Sequence, residues 1–192
     1  MIQSKEDLKD YINSDLKSHR MDYMSPWKIL LHRGYQILKF QIGLRHYEYY
    51  LNTQKRRGLP GIAHKVVLKC WKIYTENLAF KLGFDIPPNT FDKGLNIHHY
   101  GCVIVNVNAR IGQNCNVQQG VNIGQNYGPE NVPTIGDNVY IGPGAKIFGK
   151  IKIANGVAIG ANAVVNKTID EENAVVAGVP AKIVGKRKPG LR

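Results

Sequence analysis

The sequence predicts a mainly β fold, a parallel β-helix of hexapeptide repeats preceded by an α-helical region. Three observations carry this. Stepping by six from Ile111 meets Ile or Val at ten of thirteen positions through Ile183, the exceptions being Pro129, Glu171 and Ala177. A chain that is 43% hydrophobic would place only about five or six apolar residues of any kind there by chance. Gly often follows the Ile (Gly112, Gly124, Gly136, Gly142, Gly160), and a small or β-branched residue comes four after it, as at Val121, Val139, Ala145, Val157 and Ala163. A period of six fits neither a 3.6-residue helix nor an alternating strand alone, but it fits short strands that turn at Gly, Asn or Asp and stack coil upon coil. With three hexapeptides per coil, residues eighteen apart lie above one another, as Val117, Ile135 and Ile153 are expected to do. The prism is then about 20–25 Å tall at strand spacing, and no single coil folds alone.

The composition changes between residues 84 and 91, from a Lys-, Tyr- and Leu-rich half to one dominated by Gly, Asn, Val and Ile. Pro87-Pro88 forces extended backbone, so the chain divides into an N-terminal helical region, 1–85, and a β-helix domain with a basic tail, 86–192. Within the first region, Ser4 with Glu6 and Asp7 signals a helix start over 4–18, and Leu8, Tyr11, Ile12 and Leu16 form its apolar stripe. Ser25-Pro26 opens a second helix running toward Tyr50, whose mixture of apolar, aromatic and basic residues suits helix packing or a membrane surface. Lys55-Arg56-Arg57-Gly58 is a basic turn. A third helix over 62–82 is expected to bury Ala63, Val66, Val67, Cys70, Ile73 and Leu78.

In the repeats, Tyr127-Gly128-Pro129-Glu130-Asn131-Val132-Pro133 replaces one hexapeptide with loop residues, and loops on rigid scaffolds are where sites sit. The repeats decay at Asp170-Glu171-Glu172-Asn173, and Ala177 to Gly185 is expected to close the last coil.

The net charge of +12 divides as fifteen Lys and Arg against eight acids over residues 1–85, and eleven against six over the rest. Its densest cluster is the tail, with Lys182, Lys186, Arg187, Lys188 and Arg192. That suits a phosphorylated cofactor, an anionic polymer or a membrane surface, whereas nucleic acid is disfavoured for want of a recognition motif. Cys70, Cys102 and Cys115 lack both pairing and metal spacing, and the charged N-terminus resembles no signal peptide, so the expected location is cytoplasmic.

Gly94-Leu95-Asn96-Ile97-His98-His99-Tyr100-Gly101 holds the acid-base groups nearest the repeats. Adjacent residues in a strand point to opposite faces, so one histidine at most looks into a given pocket. A neutral imidazole accepts a proton from an alcohol, and a carboxylate on its other nitrogen, Asp85 or Asp92, would fix the tautomer. No third ligand accompanies the pair, and no metal is expected.

The hexapeptide array, the G-x-x-x-x-H-x-G stretch and the closing Ala177-Gly178-Val179-Pro180-Ala181-Lys182-Ile183-Val184-Gly185 together resemble the serine acetyltransferase branch of the left-handed β-helix acyltransferases, over about residues 84–187. Leu30-Leu31 and Gly34-Tyr35 look like that family's last N-terminal helices. The resemblance implies a left-handed coil, acetyl-CoA as acyl donor, His99 as general base and Asp85 of Asp85-Ile86-Pro87-Pro88 as its assisting acid. It implies cofactor contacts from Gly142, Pro143, Ala161, Asn166, Lys167, Lys182 and Arg187, and acceptor contacts at the positions of His98 and Asn131. It also implies a homotrimer whose sites lie between prisms, with a dimer of trimers as a larger assembly. His98 stands where the family has an Asp, and Asn131-Val132 where it has an Arg-His pair. These departures move the expected acceptor from L-serine toward a saccharide hydroxyl, as in polysaccharide-synthesis O-acetyltransferases. A non-catalytic, anion-binding prism is the alternative outside the enzyme class.

Overall fold

The computed structural model describes residues 1–53 and 59–188. The basic turn at Lys55–Gly58 and the tail residue Arg192 lie outside the described residues. Helices α1 (Lys5–Ser18), α2 (Pro26–Leu31), α3 (Gln36–Asn52) and α4 (Leu59–Leu82) come first. There follow β1 (Phe84–Asp85), β2 (Asn96–Ile97), β3 (Val103–Val105), β4 (Arg110–Ile111), β5 (Asn116–Val117), β6 (Asn122–Gly124) and β7 (Thr134–Ile135). The remainder are β8 (Tyr140–Ile141), β9 (Lys146–Phe148), β10 (Lys152–Ile153), β11 (Ala158–Ile159), β12 (Val164–Val165), β13 (Ala174–Gly178) and β14 (Ala181–Lys186). The strands form a left-handed parallel β-helix with N-terminal helices. Its first face carries β1-β3-β6-β9-β12, its second β4-β7-β10, and its third β2-β5-β8-β11-β13-β14.

The repeat places its Ile and Val inside: Val117, Ile123, Ile141, Ile147 and Ile159 are wholly inaccessible to solvent. Stacking is not uniformly eighteen residues apart. Ile135 pairs with Ile153 as expected, but Val117 pairs with Ile141, and Ile135 with Ile111. The loop between β6 and β7 bulges from the prism and adds one repeat length to that coil. Asn114, Asn138, Asn162 and Asn173 take left-handed backbone at positive φ, which Asn tolerates and which turns the corners.

The last coil also departs from the period. Ile169 and Val176 point inward in place of Glu171 and Ala177, because the turn between Val165 and Ile169 is shorter than a repeat and the segment after it only partly restores the phase. Residues 181–186 do not close that coil. They reverse as β14, antiparallel to β13, and cover the edge of the third face.

Ser4 caps α1 as expected, its hydroxyl accepting from Asp7 N at 2.9 Å. The expected second helix is two: α2 ends at His32, and Tyr35 takes left-handed backbone at φ 57° before α3 begins. Leu38, Phe40, Ile42 and Leu44 are buried, so α3 packs within the protein and offers no apolar face to a membrane.

The buried side of α4 differs from the expected one. Gly61, His64 and Thr75 are buried and Trp71 and Tyr74 half-buried; of the expected set Val67 and Leu78 are half-buried, Leu78 against the main core, whereas Ala63, Val66, Cys70 and Ile73 are exposed. Gly43 explains the choice. A Cβ there would come within 2.8 Å of Thr75 Oγ1 and about as close to the Tyr74 ring, so α3 and α4 cross closely at a glycine. The His46 and Trp71 rings stack nearby, 4.2 Å apart.

Helices and prism are joined through Arg45, which is completely buried. Its Nε donates to Asp15 Oδ2 at 2.8 Å and Nη1 to Glu48 Oε2 at 2.9 Å. Nη1 and Nη2 also donate to the carbonyls of Phe91 (2.9 Å) and Asp92 (2.8 Å) in the first coil. Asp15 Oδ1 in turn accepts from the backbone N–H groups of Gly94 (2.8 Å) and Leu95 (2.9 Å). Burial alone would push the guanidinium pKa down; the charges of Asp15 and Glu48 outweigh it and hold the cation. Arg45→Met leaves two carboxylates buried without their cation and is expected to lower stability by about 3–5 kcal/mol in denaturant titration. Adding Asp15→Asn and Glu48→Gln to that variant should recover part of the loss.

Candidate active site

His99 lies in the turn that carries the chain from β2 on the third face to β3 on the first, and its side chain is exposed. That turn is fastened to the end of α4: Gly101 N donates to Leu82 O at 2.9 Å and Val103 N to Gly83 O at 3.0 Å. Asp85 follows directly in β1, which pairs with β3 so that Asp85 stands beside Ile104. The structure therefore sets the Asp85 strand alongside the His99 turn, and both side chains face solvent. No hydrogen bond joins the two among the described residues. Asp92, the other upstream carboxylate, is half-buried near the helices: its Oδ1 accepts from Lys93 N at 2.8 Å, and after burial its nearness helps to push the Tyr11 pKa up.

His98 follows β2 directly, and its side chain is also exposed. Its Nε2 lies 3.1 Å from Asn116 Nδ2, so it accepts from that amide and carries its own proton on Nδ1. Partial burial, then the charge of His99, pushes its pKa down and keeps the ring neutral. The two rings are 6.1 Å apart. His98 opens onto a polar groove of about 1060 Å³ between the end of α1 and the third face, lined also by His19, Lys17, Arg20, Asn114 and Arg187.

The remaining candidates are distributed over three corners of the prism. Pro143 and Ala161 sit in the turns after β8 and β11, on the same corner as His99. Gly142 shares that corner, but a Cβ on it would come within 2.7 Å of Ile159 O, so its small size serves the stacking of coils. Asn166 and Lys167 are exposed after β12, on the corner that also carries the projecting loop. Asn131 closes that loop, its amide donating to Tyr127 O and its carbonyl accepting from Asn126 N. Lys182 is exposed on β14. Arg187 is held at the remaining corner, donating to Asn138 O at 3.0 Å and Gly156 O at 3.3 Å, in turns that precede β8 and β11. One chain thus unites His99, Pro143 and Ala161 along one corner and leaves Asn131, Asn166, Lys167 and Arg187 on the others.

The cysteines are not gathered with these groups. Cys115 is buried in the core, where desolvation pushes its thiol pKa up, and Cys102 and Cys70 are exposed. No group of three or more metal-ligating side chains occurs among the described residues.

A hexapeptide-repeat β-helix with an exposed histidine on its first turn defines the class of this chain, and comparison with known proteins narrows it. Residues 133–167 match the family described as bacterial transferase hexapeptide (six repeats). The chain is 39% identical over 110 residues to serine acetyltransferase of Mycobacterium tuberculosis, an alignment covering 56% of this chain and 48% of the relative. It is 40% identical over 131 residues to serine acetyltransferase of Staphylococcus epidermidis, covering 64% and 61%. The chain spans about half the length of the curated relatives it matches. Among solved structures, the soybean serine acetyltransferase apoenzyme superposes with TM-score 0.70 at 26% identity, over 94% of this chain and 70% of that one. A serine acetyltransferase in complex with CoA gives 0.69 at 26%, over 94% and 71%. The chain is serine acetyltransferase-like in sequence and fold.

Sequence reasoning missed His19. Its Nε2 is 2.7 Å from Gln41 Oε1, and burial pulls its pKa from 6.5 to about 4, against the effect of the Gln41 hydrogen bond. The unfolded chain takes up this proton near pH 6.5 and the folded chain refuses it until about pH 4, so stability falls as pH falls through that window. His19→Gln is expected to flatten the slope of stability against pH between those limits, by up to about 3 kcal/mol in total. Urea midpoints measured across the window check this.

Proposed function

We propose that this chain is an acetyl-CoA-dependent O-acetyltransferase in which His99 is the general base. The observation that carries the reading is the exposed imidazole on the fastened turn beside the Asp85 strand, on the corner that also presents Pro143 and Ala161. His99 removes the proton from an acceptor hydroxyl as its oxygen attacks the thioester carbonyl carbon. The carbon–sulfur bond then breaks and His99 returns the proton to the departing thiolate. Asp85 orients the imidazole and stabilises its charged form. The N-terminal region, 1–85, positions this turn, and the β-helix domain, 86–192, binds both substrates. Pro143 and Ala161 border the pantetheine arm, and the cations Lys167, Lys182 and Arg187 meet the nucleotide phosphates.

For the acceptor, the relatives support L-serine, and they include solved complexes with serine and with cysteine. The saccharide acceptor expected from the sequence has no support among them. It stays as a second reading on one observation: neither neutral His98 nor Asn131, committed to Tyr127 O, supplies a charge to match an amino acid's carboxylate or ammonium.

The distribution of candidates over three corners supports a homotrimer, in which one prism's corner lies against another's face. The exposed Tyr100 next to His99 and Ile104 on the adjoining first face supply apolar surface for that contact. Thiol release from acetyl-CoA, assayed with L-serine and with a panel of sugars and nucleotide sugars, is expected to identify one acceptor class. His99→Ala should lower turnover by about 100-fold or more while leaving CoA binding intact. Undiminished turnover in that variant would refute the assignment, and absence of any CoA-induced thermal shift would favour a non-catalytic prism. Mixing His99→Ala with Ala161→Trp subunits under exchanging conditions should restore some activity. No recovery would mean that each chain holds a complete site.

A further inference from the structure

The outward side of α4 is apolar where a solvent-facing helix should be polar. Ile62, Val66, Ile73 and Phe80 are 61%, 56%, 48% and 89% exposed, and Ala63 and Cys70 lie between them. At helical spacing these residues form one stripe, running about 27 Å from Ile62 to Phe80 with the exposed Asn77 set between Ile73 and Phe80. A contiguous patch of this kind marks a surface that something covers.

The charges beside it indicate what. Lys65, Lys69 and Lys72 form a row along one margin and Lys81 stands at the other. The acid among them, Glu76, lies 3.7 Å from Lys72 and is already paired. Two copies joined through this stripe would bring two lysine rows together with little negative charge to separate them. A surface that is apolar beneath and anionic above satisfies the stripe and its margin together, and that is the interface of an acidic bilayer. No described helix is long and apolar enough to cross a membrane, so the contact is one of lying on the surface. Trp27 and Leu31 of α2, 68% and 72% exposed, add amphipathic and apolar side chains to the same helical region.

We infer that the outer face of α4 docks the protein onto anionic membrane surface, with Ile62, Val66, Ile73 and Phe80 in the acyl boundary and Lys65, Lys69 and Lys72 at the headgroups. The inference is independent of the acetyl-transfer reading, because binding is measured without substrate and the variants that test it leave Phe80, which lines a cavity with Asp85, unchanged.

The test is flotation of the full-length chain with vesicles of phosphatidylcholine alone and of phosphatidylcholine mixed with phosphatidylglycerol. Binding is expected only to the anionic vesicles, and to weaken as salt is added. Ile62→Glu with Ile73→Glu should weaken it about 100-fold or more, and Lys65→Gln, Lys69→Gln and Lys72→Gln together about 100-fold. All these positions are exposed, so circular dichroism should show both variants folded, and His99-dependent turnover on a soluble acceptor should be unchanged. Failure to bind anionic vesicles, or binding that neither variant weakens, would overturn the inference. So would a drop in oligomer mass on light scattering for Ile62→Glu/Ile73→Glu with vesicle binding intact, since the face would then be a contact between copies of this chain.

Discussion

The buried guanidinium of Arg45 is the interaction on which the relation between the two halves depends. An unpaired charge at zero exposure is prohibitive, and Arg45 is tolerated because five donor contacts end on two carboxylates and two backbone carbonyls. Those acceptors come from α1, from α3 and from the first coil. The ion pair is therefore a geometric device more than a source of net stability. Asp15 is bonded to the N–H groups of Gly94 and Leu95, immediately before the strand that ends at Ile97, and so the position of the helices fixes where the His98-His99 turn begins. Glu48 extends the same network to Asn89 N at 2.7 Å, which anchors the chain after Pro87-Pro88.

The prism supplies the opposite quality, a rigid repeat with little chemistry of its own. Its inward positions are aliphatic, and its corner asparagines and glycines answer to backbone geometry and to the close approach of successive coils. Gly142 illustrates the point, because a side chain there would meet Ile159 O of the next coil. The departures from that regularity are the places where the repeat is interrupted: the extra residues of the His98–Cys102 turn, the projecting loop closed by Asn131, and the lost phase after Val165. Each interruption lengthens or shortens one coil without disturbing the neighbours, since coils interact through strand pairing and side-chain stacking alone.

This explains what was legible in the sequence. Inward Ile and Val could be read because a buried position in a stacked coil admits little else, and Ser4 because a cap satisfies donors within its own turn. The pairing of Val117 with Ile141 could not be read, since a loop of one repeat length preserves the period while shifting the register by a whole repeat. The orientation of α4 was illegible for a different reason. Apolar content pointed to Val66 and Ile73, yet packing selected the side that fits against Gly43 and His46, and that choice belongs to α3. At the site, His99 and Asp85 were visible as residue types, but their placement on neighbouring strands depends on hydrogen bonds from Gly101 and Val103 to the end of α4, which no local pattern encodes.

Helix α4 consequently has two roles set by its two sides. Its inner side is fixed against α3, and its last carbonyls, at Leu82 and Gly83, hold the turn that carries His99. Its outer side is an apolar stripe with a lysine margin. Because the same rigid helix owns both, any surface that captures the outer side also sets the orientation of the His99 corner relative to that surface. A β-helix repeats without obvious top or front, and a helix pinned to its first coil gives the prism a defined direction. On this argument the N-terminal helices give position to the His99 corner, which the repeats alone would leave unoriented.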